Sequence, residues 1–268
     1  MASPLRVFFV LAFALTWGIG GIGLFIGLWM PASRPLSTSS PLYYLAGYSV
    51  SLVGIVLTVR YAGLEGLRRL GRRLLPWRSP PRWYLLVAVG YGAITVITLG
   101  VAALLQPTAP AIPPWSSFLT ILVIAIVKDP GPIGEEFGWC GFALPRLLER
   151  YSPLDASIRL GLIHAAWHIP LFFIPGMPQT RVSFPLFTLG VVSIAIFNTA
   201  LYLRTGANLL LAIVVHLLAN VCGGFALDAH ALNVFFAAEG VAAALVVFVG
   251  GLRSTIPSAP TTSDPAVV

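Results

Sequence analysis

Charge is what this sequence has least of. Charged residues fill 9% of its 268 positions, hydrophobic residues 57%, and mean hydropathy is +0.90. A soluble globular domain carries about 25% charged residues. The scarcity therefore excludes a water-soluble enzyme and points to a polytopic membrane protein. Cysteine is nearly absent too: Cys140 and Cys222 both stand in apolar segments, which excludes a disulfide framework and a Cys-rich zinc module. Lysine occurs only as Lys128, so the net charge of +7 rests on arginine. In a membrane protein that surplus serves topology and contact with anionic lipid, not nucleic acid. No internal repeat is visible, which counts against a transporter built from duplicated halves.

What is present is a series of apolar runs of membrane-crossing length. They occupy 5–30, 42–59, 84–105, 118–148, 158–174, 184–203, 208–222 and 234–252. This predicts an all-α fold, a bundle of about eight transmembrane helices. The first run is too long for a signal peptide's apolar core. Residues 1–115 hold the first helices, 116–224 the core with the chemistry, 225–253 the last helix, and 254–268 a Pro/Ser/Thr tail expected to be disordered. Between the second and third runs, segment 60–82 carries seven arginines against Glu65 alone. Leu64, Leu67, Leu70, Leu74 and Leu75 recur there at helical spacing, the pattern of an amphipathic helix lying on anionic lipid. With both termini cytoplasmic, 13 arginines fall inside, and Arg34 and Arg181 outside. The expected setting is a multi-pass protein of the bacterial cytoplasmic membrane.

One stretch stands against the apolar background. Asp129-Pro130-Gly131-Pro132 interrupts the fourth run, and Glu135 and Glu136 follow at the start of the restarted helix. Prolines break the hydrogen-bond ladder, which a membrane helix tolerates where the break is buried or lines a cavity. A carboxylate at mid-membrane costs at least about 2.5 kcal/mol, so two of them demand a use or a partner. Neighbouring helix positions point about 100° apart, so one glutamate lines up with Trp139 and the other with Cys140. His164 and His168 form an i, i+4 pair on the fifth run, and His216 and Asn220 another on the seventh. A carboxylate, imidazoles and a carboxamide brought together can activate water and stabilise an oxyanion. No serine or threonine belongs to the set, so a nucleophilic-serine route has no candidate.

These motifs resemble the CPBP family of intramembrane metalloproteases, which takes in type 2 CAAX prenyl proteases and abortive-infection relatives. Glu135-Glu136-Phe137-Gly138-Trp139-Cys140-Gly141 matches the family's Glu-Glu-x-x-x-Arg, His164 to His168 its second motif, and His216 to Asn220 its His-x-x-x-Asn. The resemblance covers 116–224 and implies an eight-helix bundle with a cavity open to the cytoplasm and the bilayer. It implies that Glu135 and His168 activate the attacking water and that His216 and Asn220 hold the scissile carbonyl. Glu136, His164 and Cys140 would support them. The substrate would be a membrane-embedded or lipidated, prenylated peptide.

Two departures stand out. The motif arginine is Cys140, and the aromatic that opens motif two is His164. His164 is therefore expected to pair with Glu136 in the arginine's place. No metal is favoured, because no His-Glu-x-x-His helix organises the ligands; a zinc ion, if required, would take Glu135, His168 and His216. The lost arginine also leaves open a catalytically inactive scaffold or bacteriocin-immunity factor. Lys128 and Asp129 are read as a mutual pair or cap at the break. Asn198 and Tyr202 are read as interhelical hydrogen bonders, Cys222 as a small packing residue, and Glu239 as close to the outer end of the last helix.

Overall fold

The computed structural model describes residues 3–29, 37–105, 115–225, 229–250 and 252. All regular elements among them are helical. Among the described residues, five helices are long and apolar enough to cross a membrane: Pro4–Ile26, Pro41–Arg72, Pro81–Leu105, Phe184–Arg204 and Ala229–Gly250. The chain is an integral membrane protein. The expected turn over 106–114, most of the 31–41 turn, Asp228, Arg253 and the 254–268 tail lie outside the described residues.

Helix α1 (Pro4–Trp29) packs along α2 (Pro41–Arg72). Ser40 caps α2 by accepting from the Tyr43 amide at 3.2 Å, and Pro41 supplies a preset φ at the first helical position. This helix does not stop at 59 as the sequence suggested. It continues through Arg72 across a kink at Gly63, whose φ of 63° and ψ of −166° suit glycine alone. The leucine-patterned stretch after the kink is thus a second helical segment joined end to end with the first, so a helix distinct from the span does form within 60–82, as the sequence suggested.

α3 (Pro81–Leu105) is followed by α4 (Trp115–Lys128), and the chain breaks at Asp129 and Pro130 where the prolines indicated. It restarts as α5 (Gly131–Gly138), passes through a π turn (Trp139–Ala143) and ends in α6 (Leu144–Leu148). α7 (Pro153–Trp167) is shorter than the fifth run: it stops with His168 as C-cap, and 3-10 turns follow at Ile169–Phe173 and Pro178–Arg181. The residue before Pro170 cannot easily stay helical, which ends the helix there. α8 (Phe184–Arg204), α9 (Leu209–Gly224) and α10 (Ala229–Gly250) complete the bundle.

Close glycine packing holds α5 in place. A Cβ at Gly138 would stand 2.6 Å from the Val50 carbonyl oxygen, and one at Gly134 would stand 2.7 Å from the Gly47 carbonyl oxygen. The Ser51 hydroxyl donates to the Ile133 carbonyl at 2.8 Å across the same contact. Because the obstacle is backbone, a larger residue must push the helices apart. Gly138→Val is expected to destabilise the protein by about 1–3 kcal/mol, read as a lower unfolding midpoint in detergent.

One end of the bundle is pinned by Arg73. Its guanidinium donates to the carbonyls of Ala207 (2.7 Å), Cys140 (3.0 Å) and Gly141 (3.1 Å), and its own carbonyl accepts from the Leu209 amide at 2.8 Å. The last turn of α2, the π turn and the start of α9 thus meet at the arginine-rich end, from which α5 and α9 run back into the bundle.

Candidate active site

The break before α5 and the first turn of that helix put Glu135 and Glu136 inside the protein, 5% and 1% exposed. Each carboxylate takes one imidazole. Glu135 Oε2 lies 2.6 Å from His164 Nε2, and Glu136 Oε1 lies 2.7 Å from His216 Nδ1. This overturns the expected His164–Glu136 pair. The two glutamates point to different neighbours, as adjacent helix positions require, and α7 lies on the Glu135 side while α9 lies on the Glu136 side. In place of an arginine, Glu136 meets His216. Cys140 is buried and faces Glu136 and Asn198.

His168 Nδ1 is 3.1 Å from the His164 carbonyl oxygen. A carbonyl only accepts, so Nδ1 carries the proton and Nε2 keeps its lone pair when the ring is neutral. Aromatic rings fix both imidazoles. Trp139 lies over His164 with centroids 4.7 Å apart, Trp167 meets His168 edge-on at 4.6 Å, and Phe187 closes on His168 at 5.0 Å. The Trp17 indole donates to the Trp167 carbonyl at 3.0 Å, tying α1 to this wall.

Asn220 donates from Nδ2 to Asp129 Oδ2 at 2.7 Å, while Asp129 Oδ1 accepts from the Gly131 amide at 2.9 Å. Asp129 does cap the helix break, as read from the sequence. It also orients Asn220, a role sequence reasoning missed. Gly131 has a steric duty beside them: a Cβ there would stand 3.0 Å from His216 Nε2 and 3.2 Å from Asn220 Nδ2. Two nitrogens thus converge on the open space next to a residue without a side chain.

Glu135, His164, His168, His216 and Asn220 all line one cavity of about 820 Å³. Its outermost lining includes Thr38, Ser39, Gln179 and Arg181, with Thr38 and Ser39 exposed. These residues belong to the turns before α2 and α8, at the end of the bundle opposite Arg73. The resemblance implied a cavity open to the cytoplasm and the bilayer; the exposed lining residues Thr38 and Ser39 precede α2, whose far end carries Arg73. Glu239 also lines the cavity and is 0% exposed, so it does not reach water at a helix end as expected. Tyr202 stacks under the Arg73 guanidinium at 5.2 Å, and Asn198 reaches across from α8 to Cys140, the interhelical bond read for it, while its Oδ1 accepts no hydrogen bond. Cys222 is buried among apolar neighbours, as a packing residue.

Among the described residues, Glu135, His164 and His168 are the ones whose ligand atoms gather, within 4.8 Å of one another. His164 thus replaces His216 in the ligand set read from the sequence, because it is His164 whose nitrogen gathers with Glu135 and His168. These donor types suit zinc. However, two ligands of a tetrahedral zinc at about 2.0–2.1 Å stand roughly 3.3 Å apart, and the Glu135–His164 contact is 2.6 Å. That contact is a hydrogen bond, too short to be an edge of a zinc tetrahedron.

Comparison with a known family falls on the same segment. Residues 113–222 match the family described as Rce1-like, type II CAAX prenyl endopeptidase. The chain is also 34% identical over 93 residues to CAAX prenyl protease 2 of Methanococcus maripaludis, covering 32% of this chain and 34% of that protein. The match spans about a third of the length of this curated relative. The family match falls on the helices that carry the carboxylate–imidazole pairs. Residues 113–222, which bring Glu135, His164, His168, His216 and Asn220 together, match the Rce1-like type II CAAX prenyl endopeptidase family, a family of proteases.

Proposed function

We propose that this protein is an intramembrane endopeptidase that hydrolyses a peptide bond with a glutamate-activated water. The observation that carries the reading is the convergence of two carboxylate–imidazole pairs, His168 and Asn220 on one cavity. Water sits between Glu135 and His168 Nε2. Glu135 takes its proton as the water oxygen attacks the carbonyl carbon. His216 Nε2 and Asn220 Nδ2 donate to the oxygen that becomes negative, and Glu136 stabilises the charge His216 carries as it does so. Collapse breaks the C–N bond, and the proton held by Glu135 passes to the leaving amine. Gly131 keeps the oxyanion position clear, and Asp129 aims Asn220.

The bundle crosses the bilayer eight times, with α4 to α6 forming one broken crossing. The shorter α7 and α9 are covered by neighbours. The arginine-rich end faces the cytoplasm and contacts anionic lipid. The cavity mouth, at the other end, then faces outward, which favours a membrane-embedded peptide over a lipidated tail anchored in the cytoplasmic leaflet. Thr38→Cys should react with an impermeant maleimide added to intact cells, since Cys140 and Cys222 are buried. Labelling only after the membrane is opened would reverse this orientation.

The activity test uses the purified full chain in nanodiscs with plain and prenylated membrane peptides. Cleavage is expected and should survive a zinc chelator. If chelation abolishes it and zinc restores it, the Glu135–His164 contact must open to admit a metal. A chain that binds these peptides and cuts none is a scaffold.

A further inference from the structure

The cavity holds one carboxylate that neither the motifs nor the proposed mechanism uses. Glu239 lies in the middle of α10, outside residues 113–222. It is 0% exposed, lines the cavity, and neither of its oxygens makes a hydrogen bond. The hydroxyl of Tyr91, on α3, lies beside it, likewise buried, close enough to direct its proton at the carboxylate though not in good hydrogen-bond geometry. Gly190, on α8, leaves room for the Phe236 ring, which a Cβ there would strike, and that Cβ would stand 3.1 Å from Glu239 Oε2. His216 faces the carboxylate from α9, and Phe236 flanks it one turn earlier on α10. A carboxylate and a phenol buried at mid-membrane with only a loose contact to each other are costly. A ligand that enters the cavity can relieve that cost.

The number of acceptor oxygens with lone pairs to spare identifies the ligand. Two carboxylate oxygens and one phenol oxygen make three. A primary ammonium carries three donors, a compact charge and an apolar stem. A divalent cation needs about six oxygen ligands, twice what this corner offers. We propose that Glu239 and Tyr91 form a subsite for a primary ammonium of the bound peptide, a lysine side chain or a free amino terminus. The proposal rests on the endopeptidase reading for its substrate, though not for its ligand chemistry.

The test measures a ratio. Peptides carrying lysine, acetyl-lysine or norleucine at each position around the scissile bond, with free or acetylated amino termini, are given to the full chain in nanodiscs. At one register the wild type should cut the lysine peptide at least about tenfold faster than the norleucine peptide, the discrimination of one well-made polar contact. Acetyl-lysine should behave as norleucine. In Glu239→Gln the ratio should fall close to one, and in Tyr91→Phe it should fall partway. A preference that follows only the free amino terminus assigns the subsite to that group. Cleavage without any amine preference, or a preference that survives Glu239→Gln, overturns the subsite and leaves the protease standing. If the wild type cuts nothing, binding of octylammonium, with octanol as control, decides the matter. The wild type should bind octylammonium at least about tenfold more tightly than Glu239→Gln and Tyr91→Phe do; equal binding overturns the subsite.

Discussion

Replacing Glu135 by glutamine is expected to lower peptide cleavage by about 10²–10⁴-fold, the contribution of a positioned general base. The substitution keeps the size of the side chain and one oxygen, so the contact with His164 can survive as a neutral hydrogen bond. What disappears is the group that takes the proton from water. The loss should therefore fall on kcat, with substrate binding little changed, because the lost interaction belongs to the transition state. Glu136→Gln provides the contrast. Glu136 touches His216 and not the water position, so its replacement weakens the charge support behind the oxyanion donor. That loss should be smaller, about the 10²–10³-fold typical of one oxyanion-hole donor, or less. Measuring both variants on the same membrane peptide separates the roles. If Glu136→Gln is the more damaging change, the two glutamates exchange functions and the water lies on the α9 side.

The sequence carried much of this in advance, for reasons that can be followed residue by residue. Few charges and long apolar runs gave a helical membrane protein, and Pro130 and Pro132 placed the break before the glutamates. Three motifs at helical spacing identified every imidazole now found on the cavity, and Asn220 beside them. What the sequence withheld was partnership between helices. Spacing states which residues share a face of one helix, but it says nothing of which helix lies opposite. His164 was therefore matched to Glu136, although α7 stands on the Glu135 side. The π turn over Trp139–Ala143 is also silent in the sequence, since neither proline nor a charge marks it. Glu239 was misplaced by a boundary. Counted from 234 it lies near a helix end, but α10 starts at Ala229. Ten residues at a rise of 1.5 Å set it about 15 Å deep.

Partnership can be measured, and here the expected effects on stability are the largest. His216→Ala leaves the Glu136 carboxylate buried and unpaired, which costs about 3–5 kcal/mol. In a Glu136→Gln background most of that cost should vanish, because a neutral amide demands far less of its surroundings. His164→Phe should behave in the same way towards Glu135→Gln. The crossed combinations, His164→Phe with Glu136→Gln and His216→Ala with Glu135→Gln, should come close to additive. The rings of His164 and His216 stand 6.3 Å apart, so a coupling of a few tenths of a kcal/mol can remain between the two pairs. The four single variants and four doubles are compared by unfolding of the full chain in detergent. Strong coupling in the matched pairs and weak coupling in the crossed ones assigns one imidazole to each glutamate. The opposite pattern would return His164 to Glu136, and with it the picture in which His164 stands where the motif arginine would act. It would also free His216 from its carboxylate and remove the support on which its oxyanion role depends. The same eight proteins therefore test the fold of the site and the mechanism built on it.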